Sequence, residues 1–241
     1  VSKLDEVKLL KSGSILVSLM EPYKDRGLID LIAKQNITCF ALELIPRITR
    51  AQTMDVLSSQ SNLAGYKAVI EASTTYGKEF PMMMTAAGTV PPAKCLVMGA
   101  GVAGLQAIAT ARRLGAVVSA SDVRPAAKEN VESLGAKFVA VEDEEFKQAE
   151  TSAGYAREMS DEYKKKQAEL IAATVAKQDI IICTALIPGK PAPVLLTTEM
   201  VDTMKPGSVI VDLAVEQGGN CPLSEPNKLV DRNGVQIIGY T

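Results

Sequence analysis

The residues best suited to chemistry are Gly99-Ala100-Gly101-Val102-Ala103-Gly104 and an acid, Asp122, placed 18 residues past the last glycine (122 minus 104). Each glycine has its own task. Gly99 makes a tight turn, Gly101 lets backbone approach a pyrophosphate, and Gly104 allows a helix to pack closely on a strand. The helix that starts there offers unpaired N–H groups and a positive dipole end to phosphates. Asp122 stands where a carboxylate takes the ribose hydroxyls of a bound adenosine, so the pattern predicts dinucleotide binding. A carboxylate accepts from a free 2′-hydroxyl and repels a 2′-phosphate, which favours NAD(H); Arg124, two residues on, is of the type that accepts the phosphate instead. A second polar set, Gln52, Asp55, Ser59, Asn62 and Tyr66, recurs at three- and four-residue intervals after Arg47. Its amides and hydroxyls suit a cleft wall that binds a neutral ligand as well as a solvated face. The chain has 0 histidines. A dehydrogenase that moves a proton with the hydride needs a positioned acid-base group, whereas hydride passage between two nicotinamide rings needs only alignment and exclusion of water.

The elements that must carry these groups follow from apolar periodicity. Strands are predicted at 94–98, 117–122, 137–141, 180–184, 208–213 and 236–240, with helices after the glycine turn, at 126–134 and at 197–204. Six such strands match a doubly wound α/β sheet of order 3-2-1-4-5-6, whose ligands lie beyond the strand carboxyl ends. That singles out 184–193, beginning Thr184-Ala185-Leu186, and 214–220. The stretch 142–166 reads as a long insertion carrying Gly154 and Tyr155, with a mobile flap and a surface insertion both open. Before residue 85, strands at 14–20 and 37–44 flank a short helix, and 49–76 reads as one long helix capped by Thr49. The expected architecture is a partial α/β lobe with a connecting helix over 1–85 and a dinucleotide-binding lobe over 86–241, with NAD(H) in the cleft. Met82-Met83-Met84 reads as adaptable core filling.

Composition narrows the class. A chain of 241 residues, 47% apolar and 22% charged, is ordinary globular material. A net charge of −2 and a pI near 5.4 leave no basic footprint for nucleic acid or an anionic membrane. No apolar run approaches the roughly 18 residues of a membrane span, and the opening residues lack a signal-peptide layout. Cys39, Cys95, Cys183 and Cys221 are expected as free thiols, and no pair has metal-ligand spacing. The opening Val1 and the ending just after a strand predict a piece of a larger protein.

Five stretches carry a resemblance: 47–66, opening Arg47-Ile48-Thr49-Arg50-Ala51-Gln52; 84–93; the glycine turn; 185–193; and Asp212 to Cys221 with its Gln217-Gly218-Gly219-Asn220 run. Over essentially its whole length the chain resembles the NAD(H)-binding domain I of the alpha subunit of proton-translocating NAD(P) transhydrogenase. The resemblance implies an enzyme of the Si-specific, proton-translocating type that transfers hydride between NADH and NADP(H) on a partner domain. A membrane domain would couple the transfer to proton movement. It implies that Arg47, Ile48, Gln52, Asp55 and Ser58 line the nicotinamide side. Arg47 and Asp55 would orient the reacting ring, and Gln52 would lie where the partner domain docks. Gly99, Gly101, Val102, Ala103 and Gly104 would hold the pyrophosphate, and Asp122, Val123 and Arg124 the adenosine ribose. Gly154, Gln167, Thr184, Ala185 and Leu186 would add cofactor surface, with Tyr155 on a mobile loop. It further implies a homodimer in the intact protein and a place at the cytoplasmic face of a bacterial inner membrane, or on the matrix side in mitochondria, with this chain itself soluble. Relative to that family, portions of the first lobe are missing. The alternatives are alanine dehydrogenase, whose family uses a histidine that this chain lacks and an aspartate where Glu216 stands, and a non-catalytic NAD-binding module.

Overall fold

The computed structural model describes residues 4–46, 48–147, 159–187 and 189–241. Two compact units, Val1–Ser61 and Asn62–Thr241, divide the chain.

The first unit contains α1 (Leu4–Val7), β1 (Ile15–Ser18), α2 (Arg26–Lys34) and β2 (Thr38–Ala41), then two 3-10 turns, Leu42–Leu44 and Thr49–Met54. β1 and β2 pair in parallel, Ile15 opposite Thr38 and Val17 opposite Phe40. Asp25 starts α2 by accepting from the Leu28 N–H at 2.9 Å. Val7, Met20, Leu28, Ile32 and Ile37 form the core of this unit.

A single helix, α3 (Val56–Thr75), carries the chain across the boundary. The expectation of one helix from Thr49 is corrected here: 49–54 is 3-10, and Asp55 caps the α-helix. Asp55 Oδ1 accepts from the Ser58 N–H at 3.0 Å, and the Ser58 hydroxyl donates to Oδ2 at 2.6 Å. That pair satisfies an N–H at the helix start that would otherwise have no acceptor. Gln52 and Asp55 therefore do not share a helix face with Ser59, Asn62 and Tyr66.

The second unit opens with a hairpin, β3 (Met83–Thr85) and β4 (Gly88–Val90). The reading of Met82 to Met84 as core filling is overturned: these methionines are 57%, 51% and 72% exposed. After it come β5 (Lys94–Met98), α4 (Val102–Arg113), β6 (Val117–Ser121), α5 (Ala127–Ser133) and β7 (Lys137–Phe138). They are followed by α6 (Glu144–Lys147), α7 (Asp161–Val175), β8 (Ile180–Cys183), α8 (Thr198–Asp202), β9 (Val209–Asp212), β10 (Leu229–Arg232) and β11 (Val235–Ile238). The sheet runs β7-β6-β5-β8-β9-β11, all parallel, with β10 antiparallel on the β11 edge. This is the 3-2-1-4-5-6 order with one added strand that the sequence did not announce, because Leu229–Arg232 alternates in burial instead of forming an apolar run. β5, β8 and β9 lie within the hydrophobic clusters on both faces, as a parallel sheet under helices requires. Within the described part of the stretch read as an insertion, 144–147 and 161–166 are helical, and α7 starts on Ser160, whose hydroxyl accepts from the Tyr163 N–H at 3.2 Å. Gly154 and Tyr155 lie outside the described residues.

The chain passes from β5 to β6 and β7 on one side, then returns to place β8 on the other side of β5. The carboxyl ends of β5 and β8 are thus the point where strand order reverses, and a crevice opens there in sheets of this kind.

Candidate functional site

At the end of β5 the backbone turns through Gly99, at φ +104°, a conformation that side chains with a Cβ seldom adopt. The Gly99 N–H donates to the Ser121 carbonyl at 2.8 Å, and its own carbonyl accepts from the Thr184 hydroxyl at 3.0 Å. Three strands are thereby tied at one point: β5, β6 and β8. A Cβ on Gly104 would lie 1.8 Å from the Gly99 carbonyl oxygen, so only glycine lets α4 start this close to the turn. Gly101 is the opposite case, since a Cβ there would meet nothing within 4 Å. Protein packing does not demand that glycine; an approaching ligand would. Val102, Ala103 and Gly104 form the first turn of α4, whose N–H groups have no acceptor within the helix.

Asp122 follows β6 and folds back over this turn. Its Oδ2 accepts from the Ala100 N–H at 2.8 Å, and its Oδ1 from the Arg124 N–H at 2.8 Å. The Arg124 guanidinium closes a fork on the same carboxylate, Nε to Oδ1 and Nη2 to Oδ2, both at 3.0 Å. Burial pushes the Asp122 carboxyl upward, but the Arg124 hydrogen bond, the two backbone N–H groups and the guanidinium charge outweigh it, and the group is held below its usual value. Val123, between them, is 64% exposed. Gln167 on α7 accepts from the Val141 N–H at 2.8 Å, which anchors the chain beyond β7.

After β8, Ala185 is held by Asn220, which is 0% exposed, and Thr184 by the end of β5, its N–H donating to the Met98 carbonyl at 2.9 Å. Asn220 Oδ1 accepts from the Ala185 N–H at 3.0 Å, while Nδ2 donates to the carbonyls of Ala185 at 2.9 Å and Pro193 at 2.7 Å. Asp212, equally buried, accepts from the N–H groups of Ala214 and Cys221 and from the Ser224 hydroxyl. These two residues shape the 184–193 and 214–220 loops, yet neither was singled out from sequence as a functional group. The available signal was two short polar side chains inside an apolar surround, after β9 and after a double glycine. Leu186, next to the fixed pair, is left 48% exposed.

In the first unit, Pro46, Gln52, Asp55 and Ser58 line one cavity of about 320 Å³, near the lower end of ligand-pocket sizes. Ile48 lies extended before the 3-10 turn, its carbonyl accepting from the Ala51 N–H at 2.9 Å. The structure thus gathers Gln52, Asp55 and Ser58 at one cavity; Arg47 lies outside the described residues. No group of three or more potential metal ligands occurs among the described residues. Burial raises the Cys95 thiol to about 12 and Cys183 well above its ordinary value, which keeps both as neutral thiols. No helix among the described residues is long and apolar enough to cross a membrane.

Comparison with known proteins assigns both units. The family description "Alanine dehydrogenase/PNT, N-terminal domain" matches residues 1–64, and "Alanine dehydrogenase/PNT, C-terminal domain" matches 68–241. An NAD(P) transhydrogenase alpha-subunit protein of Rhodospirillum rubrum is 63% identical over 237 residues, which cover 98% of this chain and 62% of that protein. A solved transhydrogenase from Sinorhizobium meliloti superposes with a TM-score of 0.90 at 59% identity, covering 99% of this chain and 64% of that one. A solved L-alanine dehydrogenase, at 23% identity and a TM-score of 0.78, shares the fold. The chain spans about three fifths of the length of the relatives it matches.

Proposed function

The chain belongs to the alanine dehydrogenase/PNT family, and from that premise we propose that it is the NAD(H)-binding component of a proton-translocating NAD(P) transhydrogenase. In this reading it transfers hydride directly between NADH and NADP+ held by a partner domain, and a membrane domain couples the transfer to proton movement. The intact protein would work as a homodimer at the cytoplasmic or matrix face of the membrane. The observation that carries the reading is a cavity built from an amide, a carboxylate and a hydroxyl, Gln52, Asp55 and Ser58, in a chain with 0 histidines. Such a set can hold and orient a ring, and it contains no histidine to act as the general acid-base residue in carbonyl reduction.

The residues present fit a dinucleotide. Gly101 leaves open space at the α4 start, and Asp122 stands beside it with an acceptor carboxylate. The first-turn N–H groups of Val102, Ala103 and Gly104 would receive the pyrophosphate. Asp122 would take the adenosine ribose, with Val123 and Arg124 bordering that subsite, and Gln167, Thr184, Ala185 and Leu186 would supply further surface, together with Gly154 and Tyr155. Gln52, Asp55 and Ser58, with Ile48 and Arg47, would hold the nicotinamide end. When bound, NADH supplies the hydride; the work of the chain is to set the ring in line and keep water away.

The deciding experiment mixes the intact protein with NADH and either an NADP+-loaded partner domain or pyruvate plus ammonium, and follows NADH oxidation. Oxidation only with the loaded partner supports the proposal. Oxidation with pyruvate and ammonium would show an alanine dehydrogenase, and binding without oxidation in either mixture would show a non-catalytic module.

A further inference from the structure

A carboxylate accepts about four hydrogen bonds, two at each oxygen, and Asp122 already accepts four. Oδ1 takes the Arg124 N–H at 2.8 Å and Nε at 3.0 Å, while Oδ2 takes the Ala100 N–H at 2.8 Å and Arg124 Nη2 at 3.0 Å. The Asp122 side chain is 6% exposed and that of Arg124 is 38% exposed. A ribose diol that donates to this carboxylate must therefore displace two of the present donors. The Ala100 N–H belongs to the glycine turn, which is held by Ser121 and Thr184. The Arg124 N–H closes a two-residue loop onto Asp122 and moves only if the backbone moves. The guanidinium is different. It ends a flexible side chain that is 38% exposed, so it can swing into solvent without any movement of backbone.

The geometry points to Arg124 as a latch on the adenosine subsite: its guanidinium must leave Asp122 before both ribose hydroxyls can donate there, so the ion pair opposes NAD(H) binding. The inference rests on the assignment of the adenosine ribose to Asp122 made above, and it adds a competitor for that site. It also explains how one carboxylate and one arginine set nucleotide choice. A 2′-phosphate could pair with the released guanidinium only by facing an Asp122 carboxylate stripped of its countercharge, whereas two hydroxyls replace the guanidinium donors one for one.

The test measures NADH affinity by calorimetry on the full-length protein carrying Arg124→Gln, Arg124→Ala, Asp122→Ala, or Asp122→Ala with Arg124→Ala. Arg124→Gln keeps most of the side-chain length and guards against a folding artefact. Both single arginine variants are expected to bind NADH about two- to tenfold more tightly than the parent. The gain should vanish in the Asp122→Ala background and for an NADH analogue lacking both adenosine ribose hydroxyls. A merely structural Arg124 would move neither of those two controls in this way. Equal or weaker NADH binding by both arginine variants, with Asp122→Ala still weakening it, would overturn the latch and leave the ribose assignment standing. Unchanged affinity in Asp122→Ala would overturn the ribose assignment, and the latch with it.

Discussion

The polar groups around Asp122 and those around Asp55 are held in different ways. Asp122 is nearly buried and every acceptor position is used, and the loops after β8 and β9 are tied down by Asn220 and Asp212. Asp55 sits at the junction of a 3-10 turn and α3, with Gln52 exposed beside it and a 3.3 Å Asp55 N–H to Gln52 carbonyl bond closing the turn. Backbone donors fixed by a sheet resist displacement, whereas a lone 3.3 Å backbone bond closing a single 3-10 turn yields readily. In the proposed function this separates two duties. The sheet supplies affinity through a rigid adenosine and pyrophosphate half, and the smaller unit supplies an adjustable surface where two rings are brought into line.

Four substitutions and one titration would break or sharpen that contrast. The largest effect is expected from Gly104→Ala, because its Cβ would lie 1.8 Å from a backbone oxygen that cannot yield. Loss of about 3 kcal/mol in urea unfolding and no detectable NADH binding is the expected result; near-normal binding would show that the turn is not the rigid half. Asn220→Ala should cost about 3 kcal/mol, since three hydrogen bonds vanish and the half-buried Ala185 and Pro193 groups lose these partners. Chemical denaturation reads this directly, and a cost below about 1 kcal/mol would mean that the loop network is slack. Asp122→Ala should weaken NADH binding by about 1.5 to 3 kcal/mol with little change in the rate of transfer from bound NADH.

The titration concerns the same residue. Because its folded pKa lies below the unfolded one, Asp122 contributes stability that is complete above the ordinary carboxylate range and is lost as pH falls through the folded value. Thermal unfolding of Asp122→Asn should therefore show a flatter acid limb than the parent. The smallest change is expected from Ser58→Ala, which removes one hydroxyl from the Asp55 cap. About 1 kcal/mol of stability should go, with hydride transfer reduced more than NADH affinity. The reverse order would make the Asp55 cluster a binding site like the other, and the contrast would collapse.

Much of the larger unit was legible in its residues. Apolar runs of strand length, a glycine turn and an acid at a set distance locate β5, α4 and β6, because a strand buried on both faces and a helix on top leave a one-dimensional signature. The smaller unit was less legible. Its polar residues recur at helical spacing from Gln52 onward, and that spacing hides the cap at Asp55 that ends the 3-10 turn; Asp55 with Ser58 three residues later was the available sign. The Met82 to Met84 run misleads for a related reason, since apolar residues in a hairpin with both strands exposed look like core residues until burial is known.

The sequence by itself determined the succession of the six parallel strands, the turn that can face a pyrophosphate, and the lack of a histidine acid-base group. These depend on local backbone demands and on residue type, which neighbours along the chain express. Tertiary structure alone decided which oxygens of Asp122 are already engaged, that Asn220 holds a loop 35 residues earlier in the chain, and that Gln52, Asp55 and Ser58 line one cavity. Hydrogen bonds between distant segments depend on ångström-scale placement of elements against one another, and no periodicity in the chain encodes that.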